Sequence, residues 1–569
     1  MTSCTMLYSG RAICSCFGVL ILLINLAFPA HGQYVTFDQA TMYGQVSPTT
    51  RASGPPTSSA FATALAVDPA GNTYVTGSFY GTITFGSTVL RNENTFAGNV
   101  FVAKRTAAGQ FLWAVQAGGR DSDAGQSIAV DQQGNVYVTG AYYNWVATFG
   151  SYELPNVSGA NAFVAKLSAE GEWQWAVRAG GNGSHTIKGL ALDSRGNAYI
   201  TGYFEGFRTT FGPSTLENAS QQPSDEDLFV AKLDAWGRWQ WGVRAGGTGD
   251  DRASGVAIDA QDRLHLVGYF DSPTAEFGSI RVPNGGLQNI LVACLDTTGQ
   301  FRWATAGGGS NQDWGTAIAA DGQGNSYITG GFFSASATFG ATTLYKVGLA
   351  EVVVAKLDAQ GQWVWAQRGG GSGPDQGIAI AADKQGNAYV TGVTGSPYCT
   401  FGLEGVPQLG EYDVFVAKMA STSGECLWLR NAGGVFSDHG AGIAVDPRGR
   451  VYVAGYFEQT ADFGPLHLET EPNAYASFLA QIPNTTVLAT ATPKSSPSLV
   501  LWPSPTRTSF QVRGGAAGEQ LTVQDARGRH VLTHTLGRNP SEQVYLPPGT
   551  APGVYFLRVG QSTTRFLVE

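Results

Sequence analysis

Charge is scarce in this sequence. Asp, Glu, Lys and Arg make up 14% of it and hydrophobic residues 43%, a balance that excludes a highly charged disordered chain and permits a sizeable core. Basic residues are outnumbered 34 to 43, and a formal net charge of -9 leaves no cationic footprint for a polyanion, so no nucleic-acid partner is expected. Cysteine is scarcer still. Of six, Cys4, Cys14 and Cys16 lie before Gln33, leaving Cys294, Cys399 and Cys426. Three thiols cannot all pair within one chain, which excludes a disulfide scaffold. Cys399 and Cys426 fall in one repeat, where either a bridge or two small buried side chains fit the pattern. The seven His are scattered without an HExxH or CxxC motif, and neither a GxSxG elbow nor a P-loop occurs, so no metal, no cofactor and no catalytic residue is expected. Beyond Gly32 there is no apolar run long enough for a transmembrane span.

Glycine is plentiful, at 76 residues, without the G-X-Y period of collagen, as suits an all-β protein with many turns. A unit that reads most cleanly as DAGQSIAVDQQGNVYVTG, ATFG and FVAKLSAEGEWQWAVRAGG, from Asp123 to Gly181, recurs through most of the chain. Laid out on its turn aspartates, Asp68, Asp131, Asp193, Asp259, Asp321, Asp383 and Asp446, it gives seven copies at a nearly constant spacing. Each Asp opens a D-x-x-G-N turn in which Gly supplies a positive φ and Asp accepts from nearby amides. The fourth copy carries Asp262-Arg263 at that point and the seventh Gly449-Arg450, so the motif serves the turn and not chemistry.

Strand-like runs flank the turn, as at Ser127 to Val130 and Val136 to Gly140. FVAK (Phe163 to Lys166) and a Trp-bearing run (Trp173, Trp175) complete each copy. Four strands in each of seven copies predict a seven-bladed β-propeller over residues 61–488, with the aromatic positions packing between blades. The seventh copy lacks the Trp strand, which would leave an open edge. In the N-terminal segment, 33–60, the alternating Tyr34 to Tyr43 has the length to supply it; Thr486 to Thr490 is the rival.

The flanks differ from the repeats. Residues 1–32 combine Arg11, an apolar run from Phe17 to Phe28 and Ala30-His31-Gly32, the order of a signal peptide cut between Gly32 and Gln33. Residues 489–498, ATATPKSSPS, read as a linker, and 499–569 as a small Ig-like β-sandwich of alternating strands with Gly and Pro turns.

The pattern GxxIAVDxxGNxYVTG, followed by FVAKL and a GxWxW strand, resembles the bacterial SBBP β-propeller repeat family over residues 61–482. That resemblance implies an extracellular propeller and no particular chemistry. In the last domain Pro503-Ser504-Pro505, Asp525-Ala526-Arg527-Gly528-Arg529 and Gly553-Val554-Tyr555-Phe556 resemble the type A C-terminal sorting domain of the type IX secretion system. Ser504 and Glu569 depart from its pattern. The resemblance implies Pro503, Pro505, Asp525, Gly528, Gly553 and Tyr555 as sorting residues and the type IX machinery as partner. It also implies secretion to the surface or medium of a Gram-negative bacterium.

Propeller topology places the tight turns on one face and long, dissimilar connections, such as Phe79 to Asn99 and Tyr203 to Leu228, on the other, where recognition is expected. A recurring Phe-Gly, as at Phe149-Gly150, reads as an internal anchor of each connection. Eight residues before the turn Asp stand Asp123, Asp251, Asp313, Asp375 and Asp438, with Ala60 and His185 in the other two copies. These five carboxylates form either a negative rim for a cation or an amine-bearing ligand, or a set of loop braces, each bonded to its own backbone amides. The expected protein is a monomeric, exported, non-catalytic propeller that binds glycan or protein at the long-connection face. A polysaccharide hydrolase or lyase with acids on separate loops, and a purely structural surface component, are the alternatives.

Overall fold

The computed structural model describes residues 37–43, 58–483 and 500–568, apart from short stretches at 94–96, 144–145, 157–159, 182–183, 221, 223, 473, 503–505, 507, 514–517, 526–528, 538–540 and 560–561. The expected cleavage site at Gly32 and Gln33, the rival strand at Thr486 to Thr490, the linker, and Pro503, Pro505 and Gly528 lie outside the described residues. Among the described residues all regular structure is β. The chain divides into two compact units, Met1–Thr485 and Thr486–Glu569.

The first unit is propeller-like. It holds seven modules, each a meander in which consecutive antiparallel strands pair. The first strands are Ser59–Val67, Ala124–Val130, His185–Leu192, Asp251–Ile258, Asp313–Ala320, Asp375–Ala382 and His439–Val445. Each packs against the first strand of the next module, and the seventh against the first. In module seven the third strand, Tyr475–Ile482, pairs with Gln39–Tyr43, Gln39 opposite Gln481 and Tyr43 opposite Ser477. The core lies between modules: Tyr137 and Val164 of module two, for example, share one buried cluster with Ile187, Ile200 and Phe229 of module three.

Three local devices hold the modules together. The turn aspartate binds its own loop: Asp193 accepts from the Asn197 amide at 2.9 Å, the Asn197 side chain at 2.7 Å and the Tyr199 hydroxyl at 3.0 Å. In module four Arg263 and His265 take the places of the Asn and Tyr side chains on Asp259, and in module seven Arg450 takes that of the Asn on Asp446 while Tyr452 keeps its bond. Next, in modules one to five a Trp of the fourth strand reaches the following module. Trp175 Nε1 donates to Ala235 O at 3.1 Å, and its ring lies against Gly237, where a Cβ would stand 2.8 Å from it. Trp113, Trp241, Trp303 and Trp365 make the same bond to Ala169, Thr297, Ala359 and Ser421.

The third device is built on the recurrent Phe-Gly. Each long connection carries a short hairpin, such as Arg208–Phe211 with Ser214–Glu217. Its two-residue turn starts at the recurrent Gly, whose φ is 56 to 62° in all seven copies, as the first position of a type II′ turn requires. The Phe before it is buried on the fourth strand of its own module, Phe211 against Trp239 at 5.1 Å. The hairpin's other strand edge bridges to the preceding module, as at Gly246 with Glu276 and Gly308 with Thr338. The connections are therefore repeated straps over much of their length, not seven free loops. Dissimilar residues build one geometry because only the alternation and the Phe-Gly turn are needed.

Cys294, Cys399 and Cys426 are free thiols. Burial pushes each up to about 12, so they act as small apolar side chains.

The second unit has a three-stranded sheet, Val500–Trp502, Ser509–Arg513 and Ser541–Tyr545, and a four-stranded one, Gln520–Asp525, His530–Thr535, Gly553–Val559 and Ser562–Val568. Phe510, Val512, Val544, Leu521, Val523, Leu557 and Phe566 of both sheets form one core. Asp525 holds the Arg529 amide at 2.9 Å and its guanidinium at 2.7 Å, the chemistry of the module turns. Tyr555 is buried and donates to Ala551 O at 2.6 Å.

Candidate binding site along the first strands

The five aspartates singled out by spacing stand at or just before the start of the first strands and are 0 to 3% exposed. Each closes its own Gly-Gly loop. Asp313 accepts from the Gly309 amide at 2.6 Å, the Ser334 hydroxyl at 2.7 Å and the Phe333 and Ser334 amides at 3.1 and 3.2 Å. Gly119, Gly247, Gly371 and Gly434 serve Asp123, Asp251, Asp375 and Asp438 in the same way. At the matching place in module three, His185 Nε2 lies 2.6 Å from Thr209 Oγ1. Among the described residues no hydrogen bond or ion pair joins two of the five carboxylates. Burial pushes Asp123 and Asp251 up to about 7 and Asp438 up to about 8, against the amides that lower them. Each of these groups braces its own loop.

What the first strands present lies one and three residues further on. At the second of those positions every first strand has a register shift, for example between Ile187 and Gly189, so one residue is left without a ladder partner. Such a bulge needs room on the second strand. The Gly of the V-T-G run supplies it: a Cβ on Gly202 would stand 1.8 Å from Thr186 O, and the equivalent Gly77, Gly268 and Gly392 leave 1.9 to 2.0 Å. The bulged residues are Thr63, Gln126, Lys188, Ser254, Thr316, Ile378 and Ala441. All seven line a single cavity of about 500 Å³ bounded by first strands of every module.

Two residues earlier in each strand stand Phe61, Ala124, Thr186, Arg252, Trp314, Gln376 and His439, all half-buried. Where module seven meets module one they form an aromatic patch. His439 stacks on Tyr456 at 4.8 Å and 19°, with Tyr412 beyond it at 6.4 Å. Phe61 lies 5.3 Å from Tyr456, 5.2 Å from Tyr475 and 6.2 Å from Tyr80. In module four Arg252 lies over Tyr203 and Tyr269, bonds Glu226, and donates to the Tyr269 hydroxyl at 3.1 Å. Its charge is thus already met. The patch residues belong to strand ends on the long-connection side.

Spacing from the turn Asp marks these positions as readily as it marks the aspartates. The informative residues are those that differ from copy to copy.

The β-propeller repeat model (SBBP) matches residues 112–141, 174–203, 306–330 and 364–398, so the chain carries SBBP β-propeller repeats. It is 24% identical over 437 residues to the uncharacterized WD repeat-containing protein L264 of Acanthamoeba polyphaga mimivirus, covering 63% of this chain and 31% of that protein. It is 24% identical over 362 residues to the regulatory protein FlaEY of Caulobacter vibrioides, covering 59% and 36%. The chain thus spans about a third of the length of the curated relatives it matches. Among solved structures it is similar to the quinohemoprotein alcohol dehydrogenase ADHIIG of Pseudomonas putida HK5, with 13% identity, 80% and 79% of the two chains covered and a TM-score of 0.36.

Proposed function

We propose that the seven modules are the blades of one seven-bladed propeller, exported to the surface or surroundings of a Gram-negative cell, where it binds glycan or protein without catalysis. In this reading residues 1–32 are a signal peptide cut after Gly32. Residues 499–569 are an Ig-like sorting domain recognised by the type IX secretion machinery through Asp525, Gly528, Gly553, Tyr555 and the Pro503-Pro505 pair. The Asp525–Arg529 bonds add that the D-x-x-G-basic part of that motif also holds a turn.

The observation that carries the binding reading is the patch of Tyr412, His439, Tyr456, Phe61, Tyr475 and Tyr80. Aromatic faces carry partial negative charge and stack on the C–H faces of a sugar ring. The test is a glycan array with the full chain, then with Tyr456→Ala. At least one glycan is expected to bind, with the signal falling about tenfold in the variant, the cost of one stacked ring at roughly 1 to 1.5 kcal/mol. An empty array, or equal signals from the two proteins, removes the glycan reading. Export is tested separately: a reporter fused to residues 499–569 in a type IX-competent host leaves the cell if this assignment is right and stays inside if it is wrong.

A further inference from the structure

The cavity ringed by the seven bulged residues is a second candidate site, separate from the aromatic patch. Its polarity is lopsided. Lys188 is the sole charged group among its lining residues, and its side chain is open to solvent there. Among the described residues its ammonium has no hydrogen-bond or ion-pair partner; Glu226, the acid nearest in influence, is bonded to Arg252. On the neighbouring module Gln126 Oε1 is buried without a hydrogen-bond partner. Thr63 and Thr316 are occupied, their hydroxyls donating to Gly125 O and Gly377 O at 2.7 Å each. Ile378 and Ala441, from modules six and seven, give the remaining arc no polar side chains.

We propose that this cavity binds a monosaccharide-sized sugar acid, its carboxylate on Lys188 and a hydroxyl on Gln126. Each element of the ligand answers an element of the wall. An unpaired ammonium beside an apolar arc favours a carboxylate, which it can hold by a charge-assisted hydrogen bond. A buried amide oxygen without a partner calls for a hydroxyl, which can donate to it. The apolar arc suits the C–H face of a ring, and about 500 Å³ is in the range of small-molecule sites. A simple inorganic anion would satisfy Lys188 and leave Gln126 and the apolar arc unused. Burial and the nearby Arg252 charge lower the Lys188 pKa, so binding should weaken with rising pH sooner than for an ordinary lysine.

Isothermal titration of the full chain with D-galacturonate and D-glucuronate tests this, with D-galactose and inorganic phosphate as controls. One uronate is expected to bind at a single site, at least tenfold tighter than D-galactose or phosphate. Lys188→Met should cost tenfold or more, Lys188→Arg much less, and Gln126→Leu several-fold, all with unchanged melting temperature. Lys188→Gln stands in if the Met variant does not fold. The proposal is overturned if neither uronate binds, if phosphate binds as well as the uronates, or if the charge-removing variant that folds binds like the parent. Retention of binding in Tyr456→Ala is expected, which keeps a failure here distinct from failure of the aromatic patch.

Discussion

Two sets of first-strand positions lie within a few residues of each other and behave oppositely. Asp123, Asp251, Asp313, Asp375 and Asp438 repeat, are buried and hold their own Gly-Gly loops. The residues one and three further on change from Phe to Arg to Trp and from Thr to Lys to Ile, and these are the ones left at the patch and in the cavity. In a ring of repeats the invariant positions carry what every module needs, which is packing and backbone satisfaction. Asymmetry, and with it any capacity to select a ligand, can come only from positions the repeat leaves free.

The comparison breaks hardest at the glycines that make room for the bulges. Gly202→Ala places a Cβ 1.8 Å from Thr186 O, a backbone atom that cannot swing away, so the bulge presenting Lys188 must flatten. A loss of about 3 kcal/mol or more is expected from urea denaturation. Gly278→Ala, at a hairpin turn with φ of 60° and nothing within 4 Å, meets no clash and should cost less, about 1 to 2 kcal/mol, the backbone strain of an L residue at the first position of a type II′ turn. Equal losses for the two would mean that the bulge is not set by its glycine.

The buried aspartates give a pH signature of smaller size. Unfolded, they release protons near the ordinary 3.8; folded, Asp123 and Asp251 hold theirs to about 7 and Asp438 to about 8. Between those limits the folded state binds more protons, so this contribution is present in full below about pH 4 and is lost as pH rises towards 8. Asp259, lowered to about 2 by His265 and its loop donors despite burial, acts with the opposite sign but below that window. Calorimetry should therefore show a lower melting temperature at pH 8 than at pH 5, and Asp438→Asn should narrow the gap. A melting temperature that climbs across this range, unaltered by the substitution, would contradict the assignment.

The turns were legible in the sequence because Asp, Gly and Asn at fixed offsets have one common use, and the structure finds Asp193 and Asn197 bonded as that use requires. The straps were not. RTTFGPSTLE and TAEFGSIRV share little beyond alternation about Phe-Gly, and a short hairpin is specified by that alone. The bulges were hidden for another reason: one extra residue in a strand leaves no mark in composition, and the second-strand Gly that permits it reads as a strand end. Lys188 was therefore visible only as one of many scattered lysines until the register shift beside it put it in the cavity.

Asp262 offers the finest discrimination between a position needed by the fold and one merely used by it. It occupies the turn's glycine place with φ of 58°, a conformation that costs a non-glycine residue about 1 kcal/mol. Its carboxylate also reaches the preceding module, accepting from the Ser194 amide at 3.0 Å and hydroxyl at 2.8 Å. Both bonds are exposed, so together they are worth about 1 kcal/mol. Asp262→Gly relieves the first and deletes the second, and the two effects oppose each other at equal size. A change in unfolding free energy within about 0.5 kcal/mol of zero is expected. The double variant Asp262→Gly with Ser194→Ala should add nothing further, because the partner has already been lost. A loss above about 2 kcal/mol in the single variant, beyond what a surface substitution ordinarily costs, would show instead that this link bears on ring stability as the buried aspartates do. The division between fixed and free positions would then have to be redrawn at the turns.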